Sequence, residues 1–232
     1  LATVLETQPA AAQTSIPAVE NGPSGPVASP AKQPGSAEYG DARIGPNAVL
    51  QSLEAAGELE SEGYRRQLRS ALALPESWPK GMIPETWFLR TVEHLRATLP
   101  PERAEAVLRR AGTYTADYVG QHRVPKPFRG LLRILPRAWA IPLLLEAFRR
   151  HAWTFAGSGS FRVEPTAPRT LVLEQAPTCR TVHPEGRRGG AYYEAAFEGL
   201  LTLAGGGIRV VETDCVRAGA SACRFTIHLS RD

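Results

Sequence analysis

From Val49 to about His151 apolar residues recur every three or four positions, and beyond that strand-like alternation takes over on either side of one further helix. Val49, Leu50 and Leu53 set the first helical spacing, over Ala48–Ala56, behind the turn Ile44-Gly45-Pro46-Asn47, and Gly57 is expected to stop that helix. Ser61–Leu74 follows, with Tyr64, Leu68, Ala71 and Leu72 on one face and Arg65, Arg66 and Arg69 on another. Pro84 stands where a first helical turn tolerates proline, and Trp87, Phe88, Val92 and Leu95 carry an apolar stripe to Leu99. In Pro101–Gln121 the residues Ala104, Val107, Leu108, Ala111, Thr115 and Tyr118 repeat at three and four. A helix over Phe128–Leu135 would place Arg129, Arg133 and Arg137 opposite Leu131, Leu132 and Leu135. Pro142 predicts that the next helix starts near Ile141 and runs to about His151.

From Trp153 the period shortens. Trp153–Val163 and Thr170–Glu174 read as an antiparallel strand pair joined at Glu164–Pro168. A loop rich in Gly, Arg and Pro, holding Cys179 and His183, leads to a helix over Ala191–Leu203, whose buried stripe is Tyr192, Ala195, Ala196, Phe197, Leu200 and Leu201. Ile208–Glu212 and Arg224–Leu229 then form a hairpin around RAGASA, with Gly219 at its centre. Helices followed by a β-β-α-β-β unit predict an α+β fold with an antiparallel sheet.

Residues 1–40 differ in kind. They hold six prolines, four glycines, one aromatic residue and one lysine, too little apolar surface to offset ordering, and read as a disordered leader ahead of a single domain over 41–232. That domain divides into a mainly helical part, 41–150, and the strand-rich part, 151–232. The longest apolar cluster, Trp139–Phe148, is about half of the ~20 residues a spanning helix needs. Three cysteines in 232 residues with no secretory signal predict a reducing, cytoplasmic setting. A net charge of +4 does not point to nucleic acid. Charge is nevertheless uneven. No acidic residue occurs between Asp117 and Glu146, where Arg123, Lys126, Arg129, Arg133 and Arg137 stand. That stretch is either a solvated face or a cationic rim for an anionic ligand or an acidic membrane surface.

Two groups of residues carry candidate chemistry. The hairpin would bring Cys215 and Cys223 together with Glu212 at the end of its first strand, three ligands for a tetrahedral zinc, with Cys179 as the remaining cysteine to supply a fourth. The same spacing also suits small, inert buried cysteines. His151, Trp153 and Phe155 lie at the joint between a helix and a strand, facing Tyr118 or Trp139. They form a ligand-binding constellation in which His151 serves as an axial metal ligand or a hydrogen-bond donor, unless it is a satisfied structural histidine. Neither Gly157-Ser158-Gly159 nor Gly205–Gly207 has the strand-then-helix context of a dinucleotide loop, and three cysteines do not hold a four-thiolate iron–sulfur cluster.

Taken together, HAWTFAGSG at 151–159, APTCR at 176–180, AYYEAAFEGL at 191–200 and VETDCVRAGASACRF at 211–225 resemble the bacteriochlorophyll 4-vinyl reductase family, from about Ala42 to the C-terminus. The E-x2-C-x7-C pattern is similar to that of the zinc-binding sensor domain of phenol-responsive transcriptional activators. The implied fold is the 4-vinyl reductase fold, related to vesicle-tethering subunits with a buried apolar channel. The resemblance implies structural zinc at Glu212, Cys215 and Cys223. It puts the fourth ligand just before the helix, near Gly189-Gly190, whereas Cys179 lies about ten residues earlier in a loop: either that loop folds back to deliver Cys179, or the site has three protein ligands, or zinc is lost. It also implies a role in bacteriochlorophyll synthesis, around reduction of the 4-vinyl (8-vinyl) group of a divinyl tetrapyrrole. On that reading the chain binds a magnesium tetrapyrrole of the protochlorophyllide type and presents it to a partner enzyme, as carrier or accessory. Trp153, Phe155 and Tyr118 pack on the macrocycle, His151 approaches its magnesium, and Arg129 or Arg133 pairs with a carboxylate. The alternatives are the 4-vinyl reductase itself and a sensor or scaffold for small aromatics. Peripheral contact with a photosynthetic membrane and homodimerisation stay open.

Overall fold

Prolines punctuate the helical half. In the computed structural model, which describes residues 41–79, 81–165, 169–180 and 188–230, Pro84, Pro100, Pro125 and Pro136 each stand immediately before a helix with ψ between 131° and 144°. A fixed φ and an absent N–H suit that position, so each proline ends one segment and launches the next. The leader expected over 1–40 and His183 lie outside the described residues. In order, the elements are β1 (Arg43–Ile44), α1 (Asn47–Leu59), α2 (Glu62–Ala71), β2 (Ile83–Pro84), α3 (Glu85–Thr98), α4 (Pro101–His122), α5 (Lys126–Ile134) and α6 (Arg137–Arg150). They are followed by β3 (Ser160–Glu164), β4 (Thr170–Glu174), α7 (Pro177–Arg180), α8 (Ala191–Leu201), β5 (Ile208–Asp214) and β6 (Cys223–Leu229). The α+β class is the one the sequence predicts, and no described helix is long and apolar enough to cross a membrane.

The four-stranded sheet runs β3-β4-β6-β5, antiparallel throughout, with Phe161 opposite Leu173, Leu171 opposite Phe225 and Val210 opposite Ile227. Strand β5 is an edge, and an edge exposes unpaired donors. Helix α8 covers two of them: Glu198 accepts from Val210 N at 2.9 Å, and Glu194 accepts from Glu212 N at 2.7 Å.

Helix α8 also packs directly on α4, through small residues. A Cβ on Gly112 would lie 2.2 Å from the Tyr192 carbonyl oxygen, and one on Gly199 would lie 2.6 Å from Ala116 Cβ. The buried side of α4 therefore continues from Ala111 through Gly112, Ala116 and Gly120, not through Thr115 and Tyr118, which are only half-buried.

Four local expectations change. Gly57 does not stop α1, which runs to Leu59; the missing side chain admits Arg65 of α2, whose Cδ would lie 3.1 Å from an added Cβ. Pro142 sits inside α6 and does not open it, because Pro136 has already started the helix. That helix break at Leu135-Pro136 puts Arg137 on α6, so it shares no helix face with Arg129 and Arg133. The strand expected from Trp153 begins only at Ser160. Residues 152–154 form one 3-10 turn, and Gly157, at φ +60°, turns the chain where a Cβ would overlap the Glu85 carboxylate.

Candidate functional site

Strand alternation puts a carboxylate inside. In β5 the residues Ile208, Val210 and Glu212 point into the core, and in β6 so do Cys223, Phe225 and Ile227. The register pairs Glu212 with Phe225 and then Asp214 with Arg224, so Thr213 is a bulge that ends regular pairing just beyond the buried carboxylate. Cys215 follows, and the turn through Gly219 (φ +90°) returns the chain to Cys223. The loop after β4 folds back as the short helix α7, which carries Cys179 to the same point. One ligand atom each from Cys179, Glu212, Cys215 and Cys223 lies within 4.8 Å of the others, and all four residues are buried.

The separations have a chemical meaning. Cys179 and Cys215 Sγ are 3.6 Å apart, Cys215 and Cys223 Sγ 4.0 Å, and Cys179 Sγ lies 3.7 Å from Glu212 Oε1. Ligands placed about 2.3 Å (sulfur) and about 2.0–2.2 Å (oxygen) from a tetrahedral zinc are about 3.6–3.8 Å from one another. The donor set fits such an ion. Four acids this close cannot all ionise without a cation. Burial, with Cys215 beside it, pushes Glu212 up to about 8, and hydrogen bonding to Cys215 and Cys223 pushes the Cys179 thiol up. Those same contacts draw the Cys215 thiol down.

The surroundings hold these groups in place. Arg96, only 4% exposed, donates to the carbonyls of Thr178 at 2.5 Å and Gly189 at 3.2 Å, and pairs with Glu105 at 2.9 Å. It thereby joins α3 and α4 to α7 and to the residues just before α8. Gly190 N donates to Glu212 Oε2 at 3.0 Å, and Arg188 donates to the Glu212 carbonyl. An added Cβ at Gly190 would overlap Glu212 Cδ at 2.7 Å, and one at Gly189 would press on Cys179 Sγ at 3.3 Å. The resemblance puts the fourth cysteine at this spot, and here the sulfur of Cys179 takes that space from the other side.

A cavity of about 570 Å³ is lined by residues of α4, α5, α6 and α8 together with residues 44–48. Phe88, Phe128, Phe148, Phe155, Tyr192, Tyr193 and Phe197 supply its aromatic walls. Its inner end is a packed ring cluster: Phe155 to Phe161 at 5.1 Å, Phe155 to Phe197 at 5.7 Å and Phe197 to Phe225 at 5.6 Å. Both tyrosine hydroxyls are engaged in the wall, Tyr192 with Thr115 Oγ1 at 3.0 Å and Tyr193 donating to the Phe155 carbonyl at 3.0 Å. Burial pushes Tyr192 up to about 12 and Tyr193 higher than an ordinary phenol. Among the lining residues Gly81, Arg123, Pro125, His151 and Trp153 are exposed, and they mark the mouth. His151 Nδ1 donates to the Ala147 carbonyl at 2.9 Å, so the neutral ring keeps its lone pair on Nε2.

The structure brings His151, Trp153 and Phe155 together on this cavity, on a helix end and a 3-10 turn instead of the start of a strand. Tyr118 does not line it; that ring stacks on His122 at 4.6 Å on the outer side of α4. Trp139 stands exposed on the first turn of α6. Arg129 and Arg133 border a smaller cleft of about 240 Å³ with Thr202–Gly205, which shares only Leu203 with the large one. Sequence reasoning misses Arg123 as a lining residue, because nothing separates it from the four other cations of its run, and misses Phe88, Tyr192 and Phe197 because a buried helical stripe looks alike whether it faces packed core or a void.

No protein-family model matches the chain. It is 35% identical over 187 residues to the bacteriochlorophyll synthase 23 kDa chain of Cereibacter sphaeroides, covering 80% of this chain and 90% of that protein. Over 188 residues it is 32% identical to the protein of the same name from Rhodobacter capsulatus, covering 80% and 87%. The chain belongs to the bacteriochlorophyll synthase 23 kDa chain family. Among solved structures it is similar to an H-NOX protein from S. oneidensis in the Fe(II)NO state, at 13% identity and a TM-score of 0.48 over 81% of this chain and all of that one. It is also similar to a trafficking protein particle complex subunit 3 from Naegleria fowleri covalently bound to palmitic acid, at 11% identity and a TM-score of 0.41 over 79% and 96%. In this member of the 23 kDa family, helix α8 serves both features: Glu194 and Glu198 clamp the strand that bears Glu212, while Tyr192, Tyr193 and Phe197 form the cavity wall.

Proposed function

We propose that this protein acts in bacteriochlorophyll synthesis as a carrier: it binds a divinyl magnesium tetrapyrrole of the protochlorophyllide type in the 570 Å³ cavity and presents it for reduction of its 4-vinyl (8-vinyl) group by a partner enzyme. The observation that carries the reading is that cavity, an open, aromatic-walled space within the ~300–1,000 Å³ typical of small-ligand sites, in a chain whose relatives are named bacteriochlorophyll synthase chains. Phe155, Phe197 and Tyr193 offer flat apolar contact, and Arg123 at the mouth offers a guanidinium to a carboxylate on the rim of the macrocycle. His151 is the candidate axial ligand, with its Nε2 lone pair fixed by the Nδ1–H bond to the Ala147 carbonyl. A role as carrier suits the buried hydroxyls, because Tyr192 and Tyr193 are held in wall hydrogen bonds and are made weaker acids by burial.

Zinc is proposed at Cys179, Glu212, Cys215 and Cys223. Bound there it would cross-link α7, the end of β5 and the start of β6, a structural role with no open position.

The test is titration of the purified full chain with divinyl protochlorophyllide, followed by addition of NADPH. A shifted visible absorbance with no consumption of NADPH is expected. Ala147→Phe, which places a ring in the cavity from its α6 wall, should abolish the shift with the far-ultraviolet circular dichroism unchanged. No spectral change with the wild type would end the carrier reading, and conversion to monovinyl pigment by the protein alone would replace it with a reductase. Metal analysis checks the second site separately. Wild type should carry about one zinc per chain and Cys215→Ala much less, whereas negligible zinc in both would rule the site out.

A further inference from the structure

We propose that α5 and the first turn of α6 form a docking surface for an anionic lipid bilayer. Among the described residues the exposed large hydrophobic side chains are five, and three of them lie here: Ile134, 79% exposed, Trp139, 72%, and Leu131, 41%. A fourth, Trp153 at 60%, stands at the mouth of the cavity.

Helix α5 has two apolar arcs. Leu132 is buried and Phe128 half-buried on the inner arc; about 100° per residue puts Leu131 and Ile134 together on another, with Gly130, where an added Cβ would meet nothing within 4 Å. The strip between the arcs holds Lys126, Arg129 and Arg133. A helix that packs one apolar arc on its own protein and shows a second to water, flanked by cations, has the pattern of an interfacial element.

Charge selects the occupant. From 118 to 145 the chain carries five Lys or Arg residues and no Asp or Glu, so these segments offer cations to lipid phosphates and no carboxylate of their own. A second copy of this chain would bring the same cations face to face, which opposes pairing through this patch. Tryptophan in the first turn of α6 and long arginine side chains beside apolar ones also suit the headgroup boundary, where rings anchor and guanidinium groups snorkel.

Position adds a consequence. The corner between α4 and α5 supplies Arg123, Pro125 and Phe128 to the cavity wall, so a protein docked through α5 would hold the mouth close to the lipid surface. The docking surface stands on its own observations; only this consequence, delivery of an apolar ligand from or to the bilayer, rests on the carrier reading.

The experiment is co-sedimentation of the full chain, without pigment, with vesicles of phosphatidylcholine alone or with phosphatidylglycerol added. Wild type should bind the anionic vesicles and release them as salt rises, and should bind neutral vesicles weakly. Each surface cation is worth about fivefold in binding, so Lys126→Glu with Arg133→Glu should weaken it about 25-fold or more. Ile134→Ser should weaken it about tenfold. All three positions are solvent-exposed, so circular dichroism and zinc content should match the wild type. Absence of wild-type binding to anionic vesicles, equal binding to both vesicle types, or binding that survives these substitutions would overturn the proposal. So would a dimer in sedimentation equilibrium that Ile134→Ser dissociates, which would assign the patch to self-association. Because no pigment is present, failure here leaves the carrier reading untouched, and failure of pigment binding leaves the docking surface untouched.

Discussion

The seam between α4 and α8 allows a prediction of opposite sign at two glycines. In Gly112→Ala the new methyl group would sit 2.2 Å from the Tyr192 carbonyl oxygen and 3.0 Å from Ala195 Cβ, against an ordinary contact of 3.4 Å or more. The obstacle is backbone, which cannot swing aside as a side chain would, so the helices must part by about 1 Å. Overpacking of this kind costs about 1–3 kcal/mol, and a rigid neighbour favours the upper end. Replacing glycine by alanine inside a helix returns about 1 kcal/mol. The net is about 2 kcal/mol of destabilisation, or a fall in Tm of about 4–8 °C for a domain of this size. In Gly130→Ala, mid-helix in α5 with nothing within 4 Å of the new atom, only the propensity gain applies, and Tm should rise by about 2–4 °C. Thermal unfolding of the two variants beside the wild type decides the matter. A Gly112→Ala protein as stable as wild type would refute close helix contact at that point. The seam bears on function too, since Thr115 and Val119 of α4 and Tyr192 and Ala196 of α8 all line the cavity, and Gly112→Ala should also change pigment affinity.

Two further expectations concern the buried acids and an exposed one. Gly190→Ala would press its methyl group to 2.7 Å from Glu212 Cδ and from Phe225 Cε1, displacing the carboxylate, so metal analysis should find less zinc than in wild type while Gly206→Ala, in open space, keeps it. Glu58 is held at about 2 by hydrogen bonds from Arg110 and Tyr114, which tie α1 to α4. Its folded-state pKa is depressed, so its contribution is fully present above about pH 4.5 and is lost as pH falls towards 2. Urea denaturation at pH 5 and at pH 2.5 should therefore show a smaller difference for Glu58→Gln than for wild type; an unchanged difference would remove this pair from the acid response.

Periodicity and prolines were sufficient to determine most of the elements of this protein, because a helix or a half-buried strand records its buried face as a local repeat. Thr170–Glu174 and the start of the final hairpin's first strand, Ile208, were legible to the residue, and α3 and α4 nearly so. The metal-ligand candidates were legible as well, since a short hairpin leaves Glu212, Cys215 and Cys223 few places to go. What needed the tertiary structure was everything set by contact between distant segments. Glycine in a sequence reads as a breaker, yet Gly112, Gly190 and Gly199 stand where another segment comes too close for a side chain. A buried aromatic stripe carries no mark that says whether it faces a filled core or a cavity, so the helical spacing of Tyr192, Ala196 and Phe197 did not announce the void they border. The outward apolar residues Leu131 and Ile134 were likewise indistinguishable from Leu132 until packing showed which side of α5 the protein had used for itself. Local pattern sets what a segment can form, whereas the space between segments depends on how all of them meet.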